Sequence, residues 1–439
     1  MMNWILPIKK GVLPKLRKAG MMLLFCLLSI WNSSKAYGQS INASTFPFVV
    51  DSLCIINDPN ASLKRVFDVL DSLQAGKDTL LTIVHLGDSH VQAGFLTGAL
   101  MRCLQQCFGN AGRGWVAPFR LSRSNEPDDY AVSSSIRKWA SGRIVQRHPL
   151  TPLGPGGIGL HTVSPYVNFD LRIAPVKGEG YAFNKLVAYR GAHSMPLLPS
   201  GRLDDTARVT HAAPLKELNL DTDTIRLPWA VDTLSLQSTR RKPGTDQLLP
   251  AASFDNLYYG FVLSNGRPGI LYHAIGVNGA MFANYADAGY LRRLAVLHPD
   301  LLIVSLGTNE SFAKPFSATN FSARVADFLD MVKDYLPHTV ILLTTPPECF
   351  RHYWQHRKRH YARNENCERV AQVLCTLARE RGLACFDFFR ATGGKGSSKR
   401  WYDGHWMARD RIHFTKEAYL RQGTLFYLAI INSITNYQL

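Results

Sequence analysis

A chain of 439 residues is too long for one ordinary hydrophobic core, so two domains are the starting expectation. With 46 % hydrophobic and 19 % charged residues it reads as globular, which excludes a disordered chain. The formal net charge of +17 points to an anionic neighbourhood, with nucleic acid and acidic glycan as rival forms of it.

The N-terminus separates those rivals. Lys9, Lys10, Lys15, Arg17 and Lys18 precede an apolar run over residues 21–31, and Ala36-Tyr37-Gly38 offers small residues at cleavage-site spacing. The run is short for a transmembrane helix, so residues 1–38 are expected to be a cleaved signal peptide, with an uncleaved anchor as the alternative. Cys26 lies inside the run rather than after it, which argues against a lipoprotein anchor. Cleavage would remove six basic and no acidic residues and lower the net charge from +17 to +11. The expectation is a periplasmic or secreted protein with no stable membrane span after cleavage and no nucleic-acid partner. Seven of the eight cysteines would remain. Cys103 and Cys107, one helical turn apart, are poorly placed to bridge each other, and the pairing of the rest is unreadable. There is no C-x-x-C and no metal framework, so no cofactor is expected.

Residues 39–80 read as a lead-in with an amphipathic helix over 61–73, where Leu63, Val66, Phe67 and Leu70 share a face. Thr82-Ile83-Val84-His85-Leu86 has the length and branching of a buried parallel strand, with His85 as a core histidine. Gly87-Asp88-Ser89 then turns sharply into a helix on which Leu96, Leu100, Cys103, Leu104 and Cys107 recur at helical spacing. A serine there stands at the carboxyl end of a strand, where open α/β sheets bind ligands, with its N–H at a helix N-terminus.

From 112 to 259 the pattern changes to short alternating runs between glycine and proline turns, such as 151–159, Pro199-Ser200-Gly201 and Lys242-Pro243-Gly244. Residues 183–189 and 233–237 read as strands, and no long helical stripe appears, which is the signature of a β-sandwich. Trp115, Trp139 and Tyr189 could stack on sugars, with packing in its core the favoured reading. After 259 strands and helices alternate. A strand over 269–276 leads into Val277-Asn278-Gly279-Ala280, a helix covers 290–297, and a strand over 301–306 ends in Gly307-Thr308-Asn309-Glu310. Phe321, Val325, Phe328, Val332 and Tyr335 mark the next helix, followed by a strand over 339–344, a helix over 365–381 stopped at Gly382, and a strand over 383–388. After a long loop, Asp410-Arg411-Ile412-His413-Phe414-Thr415 opens the C-terminal helix. This alternation specifies a parallel sheet with helices on both faces.

Three of these strand ends carry complementary chemistry. Ser89 needs a base, His413 can be one, and Asp410 on the same tight turn can bond its Nδ1 and fix the tautomer. The N–H groups of Ser89 and Gly279 and the side-chain amide of Asn309 are candidate donors to an oxyanion. Gly87-Asp88-Ser89-His90, Gly279 within Val-Asn-Gly-Ala, Gly307-Thr308-Asn309 and Asp410-Arg411-Ile412-His413 stand in one order, and here the sequence resembles the SGNH (GDSL-type) hydrolase family. The resemblance covers about residues 80–110 and 260–435, and leaves the middle uncovered. It implies an α/β flavodoxin-like three-layer domain, with Ser89 as nucleophile, His413 as base, Asp410 as orienter, and Ser89, Gly279 and Asn309 as the oxyanion hole. His90 stands where many members carry leucine, so lipase-like substrate habits are not assumed.

Ser89 and Gly279 lie 190 residues apart, far more than the ~30 residues of a βαβ unit, so an insertion is required. The expected division is a signal peptide at 1–38, hydrolase segments at 39–111 and 260–439, and an inserted β-sandwich at 112–259. With export, this looks like the bacterial peptidoglycan O-acetylesterases, and that resemblance implies that the insert is a carbohydrate-binding-like domain.

His352, His356 and His360 recur at i, i+4 and i+8 and would share a helix face, a spacing that could hold a metal. Arg351, Arg357, Lys358, Arg359 and Arg363 surround them with no carboxylate, so a basic rim against an anionic glycan, or a solvated charged face, is the better reading. Trp401, Tyr402 and Trp406, placed in the loop before Asp410, either stack on sugars or pack that loop. Asp403-Gly404-His405 reads as loop chemistry flanking the site. His90, Arg357, Arg359, Trp401, Tyr402 and Trp406 are thus the candidate substrate-binding residues. The sequence reads as a secreted serine carbohydrate esterase acting on O-acetyl groups of an envelope glycan. The rivals are an esterase or acyltransferase on another acylated substrate, and a non-catalytic glycan-binding protein.

Overall fold

Six strands form the central sheet: β1 (Ile56–Asn57), β2 (Leu80–Gly87), β3 (Gly269–Gly276), β4 (Leu301–Ser305), β5 (Val340–Thr344) and β6 (Ala384–Phe386). Their spatial order is β1-β6-β5-β4-β2-β3, parallel throughout except for β1, which pairs antiparallel with β6. The five parallel strands thus run 2-1-3-4-5, the flavodoxin-like order, with the switch point between β2 and β4. The computed structural model describes residues 49, 53–173, 181–201, 206–212, 215–239 and 255–438. The expected signal peptide, Cys26 and the turn at Lys242-Pro243-Gly244 lie outside the described residues.

The strands are continuous apolar runs because both sheet faces are covered. Helices α1 (Lys64–Gln74), α2 (Phe95–Phe108) and α5 (Lys416–Gln438) make one layer, and α3 (Ala318–Tyr335) and α4 (Asn366–Glu380) the other. The α2–α5 crossing is close. A Cβ on Gly423 would lie 2.5 Å from the Leu96 carbonyl oxygen, so only glycine lets the two backbones approach. His85 is satisfied in the core by Tyr272 Oη and Ser305 Oγ, each at 2.6 Å, and burial lowers its pKa to about 3. Among the described residues, no helix is long and apolar enough to cross a membrane.

Between β2 and β3 the chain builds two antiparallel sheets. The larger runs Arg208–His211, Asp221–Val231, Phe183–Arg190, Asn256–Ser264, Ile158–Thr162, Ala140–Arg143, with Gly114–Val116 also paired to Asn256–Ser264. The smaller runs Tyr130–Ser133, Tyr166–Ile173, Thr233–Thr239, Leu198–Pro199. Phe169 of the smaller sheet stacks edge-on against Tyr258 and Phe261 of the larger at 5.2 and 5.4 Å, with Trp139 against both Phe169 and Tyr258, so the sheets close as a sandwich. Trp115 and Tyr189 are also buried, as expected. The strand Asn256–Ser264 carries the sandwich past the boundary read at 259. Arg113 and Asp129, both buried, pair at 2.5 Å where the chain enters the insert; removing either partner would strand a buried charge at a cost of about 3–5 kcal/mol.

Two expectations change. The basic segment is a β-hairpin, Phe350–Gln355 paired with Lys358–Arg363, rather than a helix. His356 and Arg357 form its two-residue turn with φ of 49° and 60°. Opposed residues share a face, so His352 and His360 lie on opposite faces and cannot form a metal stripe. Trp401 and Tyr402 lie on a short helix, Ser397–Asp403, not in an open loop. Two thiol pairs that the sequence left unassigned face each other, Cys349–Cys367 with Sγ atoms 3.7 Å apart and Cys375–Cys385 at 3.6 Å.

Candidate active site

Register brings the site together. Gly87 pairs with Gly276 of β3 and with Ser305 of β4, so the turns after three adjacent strands open at the same level. Gly87 cannot carry a side chain: a Cβ would lie 2.3 Å from Val91 Cγ2 and 2.8 Å from the Ser305 carbonyl oxygen. Asp88 caps the short helix Ser89–Gln92, its Oδ1 accepting the His90 N–H at 3.0 Å. Ser89 is left half-buried at the helix N-terminus.

The turn before α5 closes on itself. Asp410 Oδ1 accepts the Ile412 and His413 amides at 2.9 and 3.0 Å, and Asp410 Oδ2 accepts His413 Nδ1–H at 2.7 Å. With that proton on Nδ1, Nε2 accepts from Ser89 Oγ at 2.8 Å. The hydrogen bond to Asp410 raises the His413 pKa above its ordinary 6.5 despite partial burial. Burial works to raise Asp410, but the bonds from the His413 ring and the two amides outweigh it and hold the carboxyl below its usual range.

Gly279 is exposed and turns with φ 83°, and a Cβ there would meet nothing within 4 Å. Asn309 Nδ2 donates to the Ala280 carbonyl at 3.0 Å and to Asp88 Oδ2 at 3.2 Å. The three expected donors stand on the turns that follow three adjacent strands, and the longer Asn309 bond, to Asp88, is the one an incoming oxyanion could share. This arrangement can activate a serine hydroxyl and receive negative charge on an acyl oxygen. Among the described residues, no group of three or more His, Cys, Asp or Glu could hold a metal ion.

The other expected contacts are rearranged. His90 is buried, bonded through Nδ1 to Tyr419 Oη at 2.7 Å, its ring 5.2 Å from that of His413. Burial and then the neighbouring His413 lower its pKa to about 3, so it is a neutral support behind His413, not a group facing substrate. Trp401 is 0 % exposed and donates Nε1–H to the Thr392 carbonyl at 2.9 Å, so it packs the core. Tyr402 accepts Arg411 Nη2 at 2.9 Å, and Trp406 is half-buried. Arg357 and Arg359 are exposed on the hairpin. Asp403 pairs with Lys399, away from the Asp410–His413 pair. An apolar recess lined by Asp88, His90, Val91, Leu96, Phe388 and Phe426 includes none of Ser89, Asn309 and His413.

Sequence reasoning missed the groups that hold the turns. Gln92 Oε1 accepts the Asn278 amide at 2.8 Å, while Gln92 Nε2 donates to Ser124 Oγ at 2.7 Å and the Asn125 carbonyl at 2.9 Å. The Gly279 turn is thereby tied to both the Ser89 helix and the stretch entering the insert. Its signal was a glutamine three residues after Ser89. Glu310, 7 % exposed, ties the same turn to the Asn309 loop through a 2.8 Å bond from the Phe282 amide to Oε1, and its Oε2 has no partner among the described residues.

Burial raises the Glu310 pKa from 4.5 to about 7. The native state then holds the proton over a pH range where the unfolded chain has lost it, so stability falls as pH rises from about 4.5 to about 7. At ~1.4 kcal/mol per pH unit the loss amounts to about 3 kcal/mol. Glu310→Gln keeps the Phe282 bond and removes the charge. Its unfolding free energy relative to wild type should rise by about that amount between pH 4 and pH 8. A difference that stays constant with pH in denaturant titrations would refute the buried-acid assignment.

A model of the GDSL-like Lipase/Acylhydrolase family matches residues 246–421. That stretch holds Gly279, Asn309, Asp410 and His413 but omits Ser89, which the fold supplies through the parallel pairing of β2 with β3 and β4. Among solved structures, a peptidoglycan O-acetylesterase is similar over 87 % of this chain and 99 % of its own, with a TM-score of 0.66 and 23 % identity. The fold is therefore shared across both the hydrolase layers and the insert. A GDSL-like lipase from Bacteroides thetaiotaomicron aligns over 38 % of this chain and 76 % of its own, at 13 % identity and a TM-score of 0.28. A carbohydrate esterase family 3 protein from Talaromyces cellulolyticus aligns over 44 % and 78 %, at 14 % identity and a TM-score of 0.27. No curated protein sequence matches the chain.

Proposed function

We propose that the chain is a serine esterase of the SGNH (GDSL-type) fold that removes O-acetyl groups from an envelope glycan, peptidoglycan above all. The observation that carries this reading is the Ser89–His413–Asp410 chain of hydrogen bonds at 2.8 and 2.7 Å, set at the switch point of a fold similar in both domains to a peptidoglycan O-acetylesterase. In this reading Ser89 Oγ attacks the acetyl carbonyl carbon as its proton passes to His413 Nε2. The carbonyl oxygen takes up negative charge facing the Ser89 and Gly279 amides and Asn309 Nδ2. As the C–O bond to the sugar breaks, His413 returns the proton to the sugar oxygen and leaves an acetyl ester on Ser89. Water attacks that ester with His413 again as base, releasing acetate and restoring Ser89.

An acetyl group needs little room, so specificity has to come from holding the polymer. The basic N-terminal segment supports export into the cell envelope, and the +11 charge that cleavage would leave favours a polyanion. The test is acetate release by the purified protein from O-acetylated peptidoglycan, acetyl-xylan and long-chain acyl esters at matched ester concentration. Turnover should favour peptidoglycan, and a preference for long-chain esters would overturn the glycan reading while leaving the esterase.

A further inference from the structure

The hairpin beside the catalytic turn has no role in the chemistry above. Residues 350–363 carry Arg351, Arg357, Lys358, Arg359 and Arg363 and no acid. A two-stranded hairpin is marginal by itself, yet this one is anchored at its base. Buried Glu348 accepts Arg363 Nη1 at 3.0 Å and also bonds the Gly396 and Ser398 amides at 3.1 and 2.9 Å. The Phe350 amide donates to the Arg411 carbonyl at 3.0 Å. The Arg411 guanidinium lies 3.9 Å from the Tyr361 ring centre and 4.0 Å from that of Tyr402.

Arg411 follows Asp410 directly, so this sandwich shows which hairpin face meets the active-site turn. Opposed residues share a face, and Phe350 and Tyr361 both lie against Arg411. His352, Trp354 and Arg359 extend the same face outward. Trp354 lies four residues beyond Phe350, about 13 Å along the strand at ~3.3 Å per residue, the span of a few sugar units. Trp354 is 63 % exposed, with the Arg359 guanidinium 5.4 Å from the centre of its ring. Among the described residues Arg357, Lys358 and Arg359 form no ion pair, so an exposed indole beside them suits a sugar ring bearing carboxylates.

We propose that the Trp354–Arg359 face of this hairpin is a subsite for a carboxylate-bearing glycan strand, gripping it a few sugars from the ester that the Ser89 site cleaves. The inference rests on the glycan reading given above, and extends it to the anionic units of the chain. Indole stacking supplies the sugar contact, and Arg359 with Arg357 at the turn supplies the charge.

The test separates binding from turnover. Co-sedimentation of the full protein with insoluble peptidoglycan stripped of its acetyl groups should show binding that weakens with salt. Trp354→Ala with Arg359→Ala should weaken it roughly tenfold, and should raise KM for the acetylated polymer by a similar factor with kcat little changed. Tyr353→Ala with Gln355→Ala, on the opposite face, should change neither. Equal losses from the two faces, or wild-type affinity in the Trp354/Arg359 variant, would overturn the subsite. So would binding to phosphatidylglycerol vesicles in place of the glycan, which would make the hairpin a membrane contact. Glycan binding lost in that variant without acetate release by wild type would sustain the subsite and reject the proposed reaction.

Discussion

Ser89→Ala is expected to lower ester hydrolysis by at least about four orders of magnitude, measured as acetate or p-nitrophenol release from an aryl acetate. The variant loses only Oγ. Its backbone N–H still begins the helix Ser89–Gln92, and the Gly279 and Asn309 donors stay held by Gln92, Glu310 and Ala280. The loss should therefore fall on kcat, with a residual rate from the oxyanion donors and binding alone. His413 loses its 2.8 Å partner but keeps Asp410, so the fold and its melting temperature should change little. A serine-directed organophosphonate should add one covalent equivalent to wild type and none to the variant. Labelling that persists would move the nucleophile to another side chain.

The hydrolase layers were legible because each local signal agreed with the global one. Strands such as Leu301–Ser305 are apolar on both faces, and that happens only when helices cover both sides of a parallel sheet. Ser89, Asn309 and the Asp410–His413 turn were legible since each sits where a strand ends or a helix begins, and parallel register then aligns them. The sandwich was legible as alternation but not as pairing, because neighbours such as Phe183–Arg190 and Asn256–Ser264 are distant in sequence. Strand β1 was missed for the same reason, its two residues being named only by their partners on β6. The hairpin was misread because three histidines four apart imitate a helix face. Its turn uses His356 and Arg357 at positive φ, where glycine or asparagine would have signalled the reversal. Trp401 stayed open between packing and sugar contact because composition alone does not tell a buried indole from one that awaits a sugar.

Asp410→Asn is expected to cost roughly three to four orders of magnitude in kcat, and its pH profile distinguishes the cause. In wild type the neutral imidazole is the active form, and the Asp410 bond raises the His413 pKa. The acid limb of kcat/KM should therefore have its midpoint above the ordinary histidine value of about 6.5. Asparagine removes the negative charge and presents either a carbonyl oxygen or an amide toward Nδ1. The limb should move to lower pH, because the imidazolium loses the partner that stabilised it. The rate should nevertheless fall at every pH. The orienting charge is gone, and a tautomer with its proton on Nε2 can no longer accept from Ser89. The Ile412 and His413 amides can still bond the asparagine oxygen, so the turn should persist and the variant should stay folded. A drop in rate with the limb unmoved would mean that Asp410 shapes the turn without setting the basicity of His413. A rate independent of pH between about 5 and 8 in wild type would remove His413 as the base.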